Sequence, residues 1–140
     1  MKNAKDILAV LKASGSKMTR VRIAAVEVFA GNAAPITALQ LGAALARRGV
    51  DVNKTTLYRE IAFLAGKGFV EEIDFGDRVT RYELKDAGHH HHVVCVRCDR
   101  VVDVDLDRDL DSQEKAIAQK TKFTILRHSL EFFGLCASCK

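Results

Sequence analysis

Two Cys-x-x-Cys pairs are the clearest chemical signal in this sequence. The first pair ends the stretch HHHHVVCVRC and the second forms CASC, with 37 residues between the pairs. A tight turn directs both sulfurs of a pair towards one ion, and two pairs supply the four thiolates of a closed structural zinc site. Two disulfides or a redox dithiol are the alternatives, although a redox motif favours a βαβ context that is absent here. The spacing predicts a structural zinc site with the ligands Cys95, Cys98, Cys136 and Cys139.

Four consecutive histidines precede the first cysteine pair, in the interior of the chain where a tag remnant is not expected. In an extended run the side chains alternate, so that His89 and His91 face one way and His90 and His92 the other. Each pair can chelate a metal, and the residues available to complete two sites are Glu83, Asp103, Asp111 and His128. Mixed histidine and carboxylate ligands suit Fe(II), Mn(II), Zn(II) or Ni(II) without choosing among them. The alternatives are a core histidine at position 128 and a solvated loop over the acidic run DVDLDRDLD.

Length and charge limit the kinds of molecule that this chain can be. Its 140 residues, 48% of them hydrophobic, suit one or two small domains. It has no apolar run of membrane-spanning length and no signal-peptide core at its start, so we expect a cytoplasmic protein without a membrane partner. Residues 1–60 carry 10 Lys/Arg against 4 Asp/Glu, whereas residues 85–140 carry 9 of each. The basic first half favours a polyanionic partner, and a merely solvated surface is the alternative.

The first half of the sequence has strong signals for helix ends. We predict a helix from Asn3 to Ala13, one in TRVRIAAVEVFAG capped by Thr19, and one in TALQLGAALARRG with a capping box. A further helix follows in VNKTTLYREIAFLAGKG, capped by Asn53. FVEEIDF and RVTRYEL, separated by Gly76-Asp77, then indicate a β-hairpin. Helices followed by a hairpin are typical of a winged helix-turn-helix domain.

The last of these helices has one apolar face and one polar face. Leu57, Ile61, Leu64 and Ala65 share the apolar face at helical spacing. The opposite face presents hydroxyl, guanidinium and phenol groups, which contact phosphates and base edges in DNA complexes. The candidate DNA-binding residues are Arg20, Thr55, Thr56, Tyr58 and Arg59. An ordinary helical domain with solvated polar residues is the alternative.

The second half is predicted to be a small α/β domain. HHVVCV and RVVDVD are β-prone runs on either side of the first cysteine pair. A helix is expected to begin between Asp109 and Asp111 and to run to about Lys120. The stretch KFTILRHSLEFFGLC is predicted to be one strand, with a common side formed by Thr124, Leu126, His128, Leu130 and Phe132. The predicted fold class of the whole chain is α+β.

Taken together, these motifs resemble the ferric uptake regulator (Fur) family of metal-dependent transcriptional regulators. The resemblance covers nearly the whole chain and rests on MTRVR, TTLYREIAFLAGKGFVEEI, RYEL, HHHHVVCVRC and HSLEFFGLCASC in the expected order. It implies a winged-helix DNA-binding domain over residues 1–84 and a metal-binding dimerisation domain over residues 85–140. It also implies a homodimer, or a tetramer, that binds palindromic operator DNA when loaded with metal, usually as a repressor.

The resemblance assigns roles to the candidate residues. The four cysteines match the structural zinc ligands. A regulatory site at the hinge is matched by Glu83, His90, His92 and Asp103. An additional site in the dimerisation domain is matched by His89, His91, Asp111 and His128. Tyr58 and Arg59 match recognition-helix positions that contact DNA.

Three departures from the family pattern bear on these roles. No histidine occurs before residue 89, and Pro35 stands where many members have one, which places in doubt a ligand from the DNA-binding domain near this position. Asp99 replaces a common glycine after the second cysteine, so the turn there is expected to differ. His91 replaces a frequent aspartate, which shifts the additional site towards Zn(II) or Ni(II).

Iron is the first expectation for the sensed metal, because Glu83 resembles iron-type members of the family. Zinc, manganese and peroxide sensors share the same motifs and remain alternatives. No catalytic residues are predicted. A metal-dependent hydrolase and a zinc-stapled interaction module are the alternatives from other functional classes.

Overall fold

The computed structural model describes residues 3–85, 90–106 and 110–140. The chain divides into two compact units, Met1–Gly88 and His89–Lys140. Each unit has its own three-stranded sheet. None of the helices in the described ranges is long and apolar enough to cross a membrane.

The first unit contains the four predicted helices and the predicted hairpin. The helices are α1 (Ala4–Ala13), α2 (Arg20–Gly31), α3 (Ala38–Arg47) and α4 (Lys54–Gly66). Their N-caps are Asn3, Thr19, Thr37 and Asn53, and each cap side chain accepts a hydrogen bond from a backbone N–H in the first turn. At α3 the side chain of Gln40 also accepts from the backbone N–H of Thr37, which completes the predicted capping box.

The sheet of the first unit is a hairpin extended by a very short strand. The strands are β1 (Ile36–Thr37), β2 (Val70–Asp74) and β3 (Thr80–Leu84), in the spatial order β1-β3-β2 with antiparallel pairing. The hairpin follows α4 directly, because Gly68 adopts a positive φ of 78° and ends that helix. Helices followed by this hairpin confirm the expected winged-helix form.

The core of the first unit is built from the inner faces of its helices. Ile7, Leu11, Phe29 and Leu45 are each 2% exposed or less, and Leu57, Ile61 and Leu64 of α4 pack into the same cluster. Burial of this apolar area is the main favourable term in folding such a domain. The prediction for Ala65 was wrong, because that residue is exposed.

The second unit is a sheet with one helix. Its strands are β4 (His91–Cys95), β5 (Val101–Val104) and β6 (Glu131–Gly134), and its helix is α5 (Asp111–Thr121). Strand β4 lies in the centre, antiparallel to β5 and parallel to β6. Since β4 has a neighbour on each side, its hydrogen-bond register is fixed at both edges.

The strand predicted over KFTILRHSLEFFGLC is much shorter than expected. Only Glu131–Gly134 forms a strand, and residues 122–130 have no regular secondary structure. Alternating residue types satisfied the sequence criterion, but a strand also needs a neighbouring backbone to pair with. The side chain of Leu126 is 91% exposed, so the expected common side does not pack on this unit as a whole, although His128 does.

Candidate functional site

The four cysteines form one compact cluster in the second unit. Their Sγ atoms all lie within 4.8 Å of one another, and those of Cys98 and Cys136 are 3.8 Å apart. A tetrahedral zinc ion with Zn–S bonds of about 2.3 Å requires sulfur–sulfur distances of about 3.8 Å. The cluster contains four free thiols and no disulfide. The donor set and its dimensions therefore fit a structural Zn(II) ion.

The backbone around the cysteine cluster is arranged as two facing turns. Cys95 ends β4, and the backbone N–H of Asp99 donates to its carbonyl to close the first turn. Asp99 adopts a φ of 61°, so it takes the left-handed conformation that glycine favours and aspartate tolerates. Arg97 joins the two turns, because its guanidinium donates to the carbonyl of Cys139.

The thiols of this cluster differ in their affinity for protons. The backbone N–H of Cys136 donates to Cys95 Sγ at 3.4 Å, and with other backbone N–H groups it lowers the pKa of Cys95 to about 6. Contact with the sulfur of Cys136 raises the pKa of Cys139 to about 12. Four adjacent thiols resist simultaneous ionisation because their negative charges repel. A divalent cation stabilises the ionised set, so metal binding here releases protons.

A second cluster of ligand atoms lies at the other end of β4. The ligand nitrogens of His90 and His92 and a carboxylate oxygen of Asp103 lie within 4.8 Å of one another. The two imidazole rings meet edge to face, with their centroids 4.7 Å apart. Asp103 is directly opposite His92 in the β4–β5 register, and its Oδ1 is 3.4 Å from His92 Nε2. Two imidazoles and a carboxylate are a donor set that suits Fe(II), Mn(II) or Zn(II).

Glu83, the fourth residue expected in this cluster, belongs to the first unit. It lies on β3 opposite Glu71 of β2, and it is buried. Pro35, which stands in place of the histidine noted in the sequence comparison above, is also buried and lies just before β1.

The histidine on the opposite side of β4 has a different environment. The rings of His91 and His128 stack with their centroids 5.6 Å apart. Nδ1 of His128 contacts a carboxylate oxygen of Glu114 on α5. The predicted Asp111 is the exposed first residue of that helix, and His89 lies outside the described residues. The structure thus brings His91, His128 and Glu114 close together, with Glu114 in the place expected of Asp111.

The candidate DNA-binding residues lie on the first unit. Thr55 and Arg59 of α4 are exposed, Tyr58 is 45% exposed and Thr56 is half-buried. Arg20 is the exposed first residue of α2. The side of α4 opposite to the core is therefore accessible, as a recognition helix requires.

Sequence reasoning missed two acidic residues. Glu114 is three residues after Asp111, so both side chains lie on the same face of α5. Which of the two contacts His128 depends on tertiary packing, which helical spacing does not reveal. Glu60 follows Arg59 in the sequence but is buried, with Arg22 as its partner. The available signal was its helical spacing from Leu57 and Leu64, which places Glu60 on the inner side of α4.

Comparisons with known proteins agree with this architecture. The sequence model of the ferric uptake regulator family matches residues 13–133. The ferric uptake regulation protein of Bacillus subtilis is 33% identical over 133 residues, which cover 92% of this chain and 89% of that protein. The peroxide operon regulator of the same organism is 30% identical over 135 residues, covering 96% and 92%.

A solved structure also matches both units. The crystal structure of the Vibrio cholerae ferric uptake regulator has a TM-score of 0.77 and 29% identity, and the match covers 94% of this chain and 100% of that chain. This fold similarity extends over the full length of the solved chain, and the sequence match of the family covers most of this sequence. The chain therefore belongs to the ferric uptake regulator family.

Proposed function

We propose that this protein is a metal-responsive transcriptional regulator whose dimer binds palindromic operator DNA when a divalent metal is bound. The observation that carries the proposal is the convergence of His90, His92 and Asp103 within 4.8 Å, in a chain whose other unit exposes a polar face of α4. Family membership supports the pairing of these two parts in one regulator. We further propose that DNA binding represses genes for metal uptake, and that the protein acts in the cytoplasm.

In this proposal Glu83 provides the link between metal and DNA. Glu83 is on β3 of the winged-helix unit, whereas His90, His92 and Asp103 are in the second unit. A divalent cation supplies the positive charge that lets a second carboxylate join Asp103 without repulsion. Glu83 then ties the wing to the second unit and favours one arrangement of the two recognition helices of a dimer. Successive major grooves are about 34–36 Å apart, so only some arrangements place both helices correctly.

A homodimer is the proposed assembly, and exposed apolar side chains of the second unit support it. Ile117 of α5 is 51% exposed, Phe123 is 72% exposed and Leu126 is 91% exposed. All eleven residues of α5 are described, and none of them is buried. Several large exposed apolar side chains in one small unit indicate a surface that a partner covers. Residues 122–130 have strand-like alternation without a paired strand in the described part of this chain, so they would pair with the partner subunit.

Iron is the proposed signal. The donor set of two imidazoles with carboxylates suits Fe(II), and a relative at 33% identity is named a ferric uptake regulation protein. A peroxide sensor is the second candidate, since Asp103 is in the cluster and a relative at 30% identity is named a peroxide operon regulator. The two candidates differ in a simple observation. Release of DNA from the Fe(II)-loaded protein by dilute peroxide would favour the second candidate.

The metal response is expected to depend on the histidines of one side of β4. His90→Ala/His92→Ala should abolish the gain in operator affinity on adding Fe(II) or Mn(II), because it removes two ligands of the proposed sensing site. Couplings of this type are commonly about 5- to 150-fold in affinity. The measurement is fluorescence anisotropy of an operator duplex with metal and with chelator. His91→Asn is the matched control and should retain the gain, since its ring faces His128. An unchanged metal response in the double variant would contradict the assignment.

The cysteine cluster is expected to hold zinc for structural reasons. Cys136→Ser/Cys139→Ser should lower the zinc content from about one ion per chain to near zero and destabilise the second unit, because binding of structural zinc contributes directly to folding. Metal analysis after gel filtration and thermal unfolding give the two readouts. Ser138→Ala lies in the same turn and should change neither. Full zinc content in the double cysteine variant would refute a four-cysteine site.

Arg59 on the exposed face of α4 is expected to contact DNA. Arg59→Ala should weaken operator binding by about 1–3 kcal/mol at constant salt concentration, and should reduce discrimination at the base it reads. Lys67→Ala removes an equal charge at the far end of the same helix and should have little effect. Competition between the operator and single-base variants measures both quantities. Equal losses for the two substitutions would argue against a recognition role for Arg59.

A further inference from the structure

A charged pair lies on the inner side of the recognition helix. The guanidinium of Arg22 on α2 makes two parallel hydrogen bonds to the carboxylate of Glu60 on α4. Nε donates to Oε1 at 2.8 Å, and Nη2 donates to Oε2 at 3.3 Å. Their side chains are only 13% and 9% exposed. Two parallel hydrogen bonds fix the orientation of the partners as well as their distance.

Arg22 makes two further contacts that complete a clamp. Its Nη1 donates to the carbonyl of Lys17 at 2.6 Å, in the loop before α2. Its guanidinium carbon is 3.5 Å from the centroid of the Phe63 ring, one helical turn beyond Glu60 on α4. The Arg22 clamp, meaning Arg22 with Glu60, Phe63 and the Lys17 carbonyl, therefore joins the α1–α2 loop, α2 and the middle of α4.

A gain in folding stability does not by itself explain the presence of such a buried ion pair. Removing two charges from water is costly, and replacing a buried ion pair with apolar residues of similar size is often neutral or stabilising. Apolar packing, in contrast, has little directionality. The apolar contacts of Leu57, Ile61 and Leu64 with the core hold α4 in place, while small rotations of the helix about its axis would change the direction of any hydrogen bond that it makes. The directional hydrogen bonds of the clamp oppose such rotations.

The clamp members are neighbours of the proposed DNA contacts. Glu60 directly follows Arg59, and Arg22 is two residues after Arg20. Side chains reach about 5–6 Å from a helix axis, so a rotation of about 10° moves their ends by about 1 Å. Bidentate recognition of a base edge depends on donor positions at that scale. The clamp thereby sets the position of Arg59 and Tyr58 relative to Arg20.

We infer that Arg22 and Glu60 are positioning residues that set the preference of this protein for operator over random DNA. The inference rests on the proposed DNA-binding function. It predicts that loss of the clamp lowers specific affinity more than it lowers folding stability or non-specific affinity, since neither of those depends on the rotation of α4.

The test compares an apolar replacement of the pair with the wild-type chain. An operator is first selected by the wild type, in the presence of Mn(II), from a pool of random duplexes. Arg22→Met/Glu60→Leu should keep or raise the unfolding midpoint and bind a random duplex as the wild type does. Its affinity for the selected operator should fall by about 10-fold or more, measured by anisotropy at one salt concentration. An unchanged ratio of operator to random affinity would overturn the inference.

Two further variants keep the test decisive. Arg22→Lys retains the charge but loses the paired guanidinium donors, so it should reduce the ratio of operator to random affinity at a near-normal unfolding midpoint. This variant keeps the test informative even if the double variant fails to fold. An unchanged ratio in Arg22→Lys in that case overturns the inference.

The ion pair of Arg48 with Glu27 has a similar distance of 2.7 Å but side chains 46% and 44% exposed, and Arg48→Met/Glu27→Leu should leave the ratio unchanged. An equal loss in this control would also overturn the inference.

The outcomes separate the inference from the function on which it rests. A wild-type protein that selects no duplex in Mn(II) would overturn both. A wild-type protein that selects an operator, together with clamp variants that prefer it equally, would overturn only the role of Arg22 and Glu60.

Discussion

The register of strand β4 is the constraint on which both metal clusters depend. Side chains alternate along a strand, so a shift by one residue would exchange the two sides of the histidine run. In the observed register His92 is opposite Asp103, while His91 stacks on His128. Cys95 at the end of β4 belongs to the cysteine cluster, which ties the strand to the segment that follows β6. A zinc ion held there would fix this register and thus indirectly determine which histidines can meet Asp103.

The first unit follows a similar principle with different chemistry. Its helices are held mainly by apolar packing, with side-chain caps at each helix start. A small number of directional polar contacts then fixes the orientation of these packed elements. The paired forks of Arg22 and Glu60 are the main example on α4, and the ion pair of the buried Arg81 with Asp77 at 2.8 Å is another in the wing. Such contacts add little net stability but restrict the arrangements available to the packed elements.

Much of this arrangement follows from local sequence patterns. Helix caps predicted α1 to α4 because a side chain at a cap satisfies backbone groups a few residues away. The two Cys-x-x-Cys pairs predicted one cluster of four sulfurs, and strand alternation predicted two differently placed histidine pairs. Apart from Ala65, the errors concern contacts between distant parts of the chain. Leu126 was expected within a long strand, but a sequence does not reveal whether a neighbouring strand exists. Glu114 and Glu60 were missed because helical periodicity predicts the face of a helix on which a residue lies, but it does not predict the side chain that the residue contacts.

We propose that metal binding at the His90 and His92 cluster and DNA binding at α4 are coupled. Coupling between two binding equilibria is reciprocal, so a metal that strengthens DNA binding must itself bind more tightly in the presence of that DNA. The most direct measurement is the dissociation constant of Fe(II), or of Mn(II) in air, with and without saturating operator duplex on zinc-loaded wild-type protein. Operator DNA is expected to tighten metal binding by the same factor by which metal tightens DNA binding. Equal metal affinities in the two conditions would contradict it.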